Sequence, residues 1–153
     1  MRINKNGFTM LELLAVIIIL GILITLAYMG VSRYLNQARS TTYEDFEKNI
    51  TSGVTNYLID HTGSIPNEGE SLVVDVEKLV CEGYIEDLQD PRESSKTCNL
   101  DSYAIVKRND DTNYNMDIEY SACLKCSSYE SPACSNSIDG IKRLKADSTC
   151  EVD

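Results

Sequence analysis

LLAVIIILGILITLAYMGVS, residues 13–32, is a run of 20 positions without a charge. As a helix rising 1.5 Å per residue it would measure roughly 30 Å, the thickness of the hydrocarbon core of a bilayer. It contains no proline, and Gly21 weakens it in the middle. A chain of 153 residues is too small to cover so apolar a helix on every side, so the run reads as a membrane span rather than a core helix.

On the N-terminal side stand Arg2 and Lys5. Positive residues favour the cytoplasmic face, which places the N-terminus inside and the bulk of the chain outside, although Arg33 and Arg39 beyond the run weaken the asymmetry. A cleaved secretory signal has a shorter apolar region followed by a small-residue site. No Ala-x-Ala follows this run, so it is expected to stay as an anchor. Glu12 sits between Leu11 and Leu13, where an unpaired carboxylate is costly and is by default a candidate functional group.

Asn6-Gly7-Phe8-Thr9-Met10-Leu11-Glu12 resembles the processing site of the type IV pilin and pseudopilin family. The resemblance covers residues 1–40 strongly. It implies a leader over residues 1–7, cleavage between Gly7 and Phe8 by a prepilin peptidase, and N-methylation of Phe8. It also implies that Glu12 neutralises the α-amino group of Phe8 on a neighbouring subunit and so sets the register of a filament. Many family members carry a proline about 22 residues into the mature chain, where this sequence has Met29 and Gly30.

Past the span, Val31, Leu35, Ala38, Thr42, Phe46, Ile50, Val54 and Tyr57 recur every three or four residues. This amphipathic stripe predicts a helix that continues from residue 8 to residue 60. His61, Gly63 and Pro66 are stop signals. Residues 64–100 read as irregular and acidic, with a short helix over 76–82 capped by Asp75 and ended by Gly83. Strands are predicted over 102–108, over 114–121 from its alternation, and near 138–144. The expected fold is α+β and pilin-like. A long N-terminal helix packs on a small antiparallel sheet with disulfides. The divisions are a leader (1–7), a transmembrane and filament-core helix (8–32), its amphipathic continuation (33–60) and an acidic extracytoplasmic head (61–153).

The chain carries 14 Lys+Arg against 24 Asp+Glu. Setting aside Arg2, Lys5, Arg33, Arg39 and Glu12 leaves 10 basic and 23 acidic residues from position 40 onward, a net charge of −13. That surface opposes direct nucleic-acid binding, which needs phosphate-neutralising cations. His61 is the lone histidine, so every His-dependent catalytic or metal set would need it; it reads as a polar residue at a helix end.

Cys81, Cys98, Cys123, Cys126, Cys134 and Cys150 form an even set in the exported part, which implies disulfides. Local order suggests Cys81–Cys98, Cys126–Cys134 and Cys123–Cys150. The alternatives are zinc at Cys123, Cys126, Cys134 and Cys150, or a redox role for Cys123 and Cys126. Asp111, Asn113, Asn115 and Asp117 alternate as calcium ligands do, but Met116 replaces the glycine and Ala122 the final acid, so the stretch reads as a solvated loop.

No catalytic set, metal or cofactor is expected. The resemblance implies a structural subunit of a type IV pilus-like filament. The alternatives are a minor pilin, a secretion or competence pseudopilin, or an anchored ligand-binding ectodomain that never polymerises. The implied partners are other pilin subunits, the prepilin peptidase, the pilus or secretion assembly machinery, and membrane lipid before assembly. The implied location is a single-pass cell membrane, then a filament at the cell surface or across the envelope.

Overall fold

The computed structural model describes residues 8–98, 101–109, 117–147 and Cys150. Packing divides the chain into two units, Met1–Ser40 and Thr41–Asp153. One helix, α1 (Met10–Asp60, 51 residues), contributes to both. It forms because the segment lacks proline and is rich in leucine. It ends where His61 opens a single 3₁₀ turn, Thr62–Ser64, and Pro66 prevents any continuation.

In the second unit, α1 buries Tyr43, Ile50, Val54, Tyr57 and Leu58. Their spacing is the three-to-four-residue stripe expected of a helix that packs on one side. Gly53 lies on this face because a β-carbon there would overlap Cγ2 of Ile85. The stripe packs on a four-stranded sheet built from β1 (Ser71–Asp75), β2 (Tyr103–Arg108), β3 (Ile118–Cys123) and a late strand at Lys142–Leu144. A two-residue hairpin, β4 (Lys125–Cys126) with β5 (Tyr129–Glu130), precedes that late strand, which is therefore β6. The sheet order is β3-β2-β1-β6.

Two layers cover this sheet. Leu72, Val74, Ala104, Val106 and Ala122 join the core under α1. Val73, Tyr103, Ile105 and Cys123 face the other way, under Cys134, Ile138 and Ile141. Burial on both faces explains why β1 reads SLVVD without alternation. It also explains why a period-two search finds β3 and misses β1 within the stretch read as irregular.

The sheet is mixed rather than antiparallel as expected. β1–β2 and β2–β3 are antiparallel, but β6 pairs with β1 in parallel, Leu72 opposite Lys142 and Val74 opposite Leu144. The chain between β3 and β6 first packs β4 and β5 on the α1 side, then passes through a 3₁₀ turn at Pro132–Ser135 to the second face, where Cys134, Ile138 and Ile141 lie, and returns in the same direction as β1. The short helix is α2, Val76–Cys81. Asp75 precedes it without capping it; its carboxylate instead accepts a 2.6 Å hydrogen bond from Nε of Arg143 in β6. Gly83, at φ +77°, ends α2, with its N–H donating to Val80 and that of Tyr84 to Leu79.

All six cysteines are paired, as Cys81–Cys150, Cys98–Cys126 and Cys123–Cys134. The pairing expected from local order is therefore wrong in every bond. Sheet register decides it: Cys123 faces the second layer with Cys134, while Cys98 is buried on the α1 side, where Cys126 packs. Neither the zinc set nor the Cys123/Cys126 redox pair forms, since Cys123 is bonded to Cys134, Cys126 to Cys98 and Cys150 to Cys81.

Gly53→Ala is expected to lower stability by about 1 kcal/mol. Overpacking against Ile85 costs roughly 1–3 kcal/mol and the gain in helix propensity returns about 1. Gly63→Ala, with open space around it, should be neutral. Chemical denaturation of the two variants in detergent compares them.

Candidate assembly surface

Among its described residues, the first unit does not bury its own apolar surface. Ile17, Leu20, Ile24 and Leu26 are each half or more exposed. The helix is long enough, and its N-terminal part apolar enough, to cross a membrane. Phe8 is 79% exposed. Gly7 lies outside the described residues.

Glu12 is exposed at the N-terminal end of α1, in the third helical position. Its Oε2 accepts from the Thr9 amide and from the Thr9 hydroxyl, each at 2.9 Å. The Glu12 amide in turn donates to Thr9 Oγ1 at 3.3 Å. Thr9-Met10-Leu11-Glu12 is thus a capping box, in which two otherwise orphaned N–H groups are satisfied reciprocally. The Thr-x-x-Glu spacing carried this signal in the sequence, and Thr9 was not singled out from it. Further along, the Thr25 hydroxyl donates to the Gly21 carbonyl at 2.8 Å, so this polar side chain inside the apolar run carries its own acceptor.

The second unit contains one buried acid without a cation. Asp90 is 1% exposed and sits where the loop after α2 meets α1 and the β4–β5 hairpin. Its carboxylate accepts from Tyr43 Oη (3.1 Å) and from the amides of Arg92 (2.9 Å) and Ser127 (3.0 Å). Burial pushes its pKa up, but these hydrogen bonds together outweigh burial and hold it below the usual carboxylate range. Tyr43 stacks face to face on Tyr129 at 4.2 Å. Tyr129 donates to Glu47 at 2.7 Å, and burial and that carboxylate push its phenol up to about 12. Asp90 lies near Cys98 and Cys126, as ligands of a metal would, but both sulfurs belong to one disulfide. Of the calcium-like set, only Asp117 lies among the described residues, where it accepts from the Asn109 side chain at 3.1 Å.

A long helix that is apolar first and amphipathic later, a small mixed sheet and three disulfides make a pilin-like α+β chain. Comparison with known proteins gives the same class. Residues 2–28 match the family model of the prokaryotic N-terminal methylation motif. The chain is 29% identical over 82 residues to the ComG operon protein 3 homolog of Bacillus licheniformis, covering 54% of this chain and 76% of that one. No solved structure matches. The chain therefore carries the prokaryotic N-terminal methylation motif at the head of a pilin-like fold.

Because the folded pKa of Asp90 is depressed, its contribution is present above about pH 4 and is lost as pH falls through the folded value. Acid titration of unfolding free energy should show this loss in the wild type and a flatter profile in Asp90→Asn. Asp90→Ala should cost about 3 kcal/mol at neutral pH, because Tyr43 and two amides lose their acceptor.

Proposed function

We propose that this chain is a subunit of a type IV pilus-like filament, made as a precursor and assembled through α1. The observation that carries the reading is the exposed apolar helix headed by the methylation motif. Surface of this kind has two stable surroundings, lipid and a bundle of like helices. Transfer from one to the other gains little from removal of water, so side-chain packing and polar pairing must favour assembly.

Glu12 supplies the pairing. In the single subunit its carboxylate is held by the Thr9 cap. After cleavage between Gly7 and Phe8, the methylated α-amino group of Phe8 on a neighbouring subunit is its partner. Two charges that are costly apart in apolar surroundings become one neutral unit there. The requirement for a charge partner at a fixed depth sets the axial register. The N-terminus begins on the cytoplasmic side, the acidic head stands outside, and a prepilin peptidase and an assembly machine act on the chain in turn. A minor pilin and a secretion or competence pseudopilin use the same chemistry; the likeness to the ComG operon protein 3 homolog favours the pseudopilin among them.

Mass spectrometry of membrane-resident protein from cells with the peptidase should find a mature N-terminus at methylated Phe8. An intact Met1 in that material would instead favour an anchored ectodomain that never polymerises. Glu12→Ala should insert and be processed normally yet be absent from sheared filaments, and incorporation at wild-type levels would remove Glu12 from this role.

A further inference from the structure

The second unit carries an open groove of about 640 Å³ between the Glu44 to Ser52 stretch of α1, β3 and the Pro132 turn. Ala122, Pro132, Ala133 and the Tyr120 ring give it apolar walls, and Glu44 stands on its rim. Glu44 is exposed and makes no ion pair among the described residues, whereas its neighbours are engaged: Asp45 with Lys48 at 3.2 Å and Glu47 with Tyr129.

The first unit has the complementary features. Between Lys5 and Lys48 the only basic residues are Arg33 and Arg39. Neither makes an ion pair among the described residues. Val31 and Leu35, one turn apart, are 55% and 47% exposed, and Arg39 follows Leu35 by one further turn. This apolar and basic face straddles the outer end of the membrane-length run, with Val31 inside it and Leu35 and Arg39 beyond it.

We infer that the groove receives the Val31, Leu35 and Arg39 face of α1 from a second copy of this chain, with Glu44 pairing to Arg39 or Arg33. The inference rests on the filament reading and names where head meets stem within it. Charge argues for a second copy over an unrelated partner. The chain from residue 40 onward is net −13, so these parts of two copies repel, and the two arginines are the cations the same chain supplies at stem level. Small apolar walls against Val31 and Leu35 give the contact a desolvated centre, with the charge pair at its rim setting register.

The test uses full-length chain in cells that assemble it, with sheared filaments quantified against total subunit. Glu44→Lys should lower filament yield by roughly tenfold, since it places like charges together at every repeat. Glu86→Lys, an equal charge change at an exposed position away from the groove, should leave yield unchanged. Glu44→Lys combined with Arg39→Glu, or with Arg33→Glu, should restore it. In a separate variant, cysteines placed at Leu35 and Ser121 should cross-link neighbouring subunits into a ladder on mild oxidation. Wild-type chain that never enters a filament rejects the assembly reading itself. Wild-type filaments in which Glu44→Lys behaves as Glu86→Lys does, or in which no ladder forms, reject the groove and leave the assembly reading standing.

Discussion

An apolar helix without cover in its own chain is the constraint on which the rest depends. Each exposed leucine or isoleucine in the first unit represents about 1.5–3 kcal/mol of unrealised burial in water. No rearrangement of a 113-residue second unit that already has its own core could satisfy so many of them. The chain is therefore defined by where that helix is placed. The polar groups near it conform to this. Thr9 and Glu12 close on one another, and Thr25 returns its hydroxyl to the Gly21 carbonyl. Each device removes a polar group that hydrocarbon would otherwise penalise.

The second unit solves a different problem with the same helix. From Tyr43 onward α1 buries one stripe and leaves the rest solvated, so it behaves as an ordinary surface helix on a sheet. The change of pattern falls near Ser40, within the bounds of α1. Continuous backbone with a change of environment needs no linker, and the sequence has none there. The head is stabilised by polar contacts that tie distant segments. Asp90 gathers α1, its own loop and the β4–β5 hairpin, and Asp75 with Arg143 joins β1 to β6.

Legibility in the sequence followed the reach of the interactions. α1 was visible from its period and its lack of breakers, α2 from Gly83, and the N-terminal motif from seven contiguous residues, because each depends on near neighbours along the chain. β2, and part of β3 and β6, were visible from local patterning. β1 was not, since burial on both faces removes the alternation that marks a strand. The parallel pairing of β6 and all three disulfides were also hidden. They are set by which segments become neighbours in space, and local order does not show that Cys98 and Cys123 are buried on opposite sides of the sheet. The Asp90 cluster joins positions 43, 90 and 127, and no sequence pattern links residues that far apart.

The disulfides have a mechanical meaning as well as a thermodynamic one. Cys81–Cys150 closes a covalent ring around residues 81–150, and Cys98–Cys126 and Cys123–Cys134 overlap inside it. A pull between the helix and the C-terminal end therefore cannot lengthen the chain through that ring. Ahead of the ring, residues 41–80 of the second unit can pay out, roughly 130–145 Å at full extension. Under load the head has a fixed maximum length, and β2 to β6 travel as one cross-braced bead.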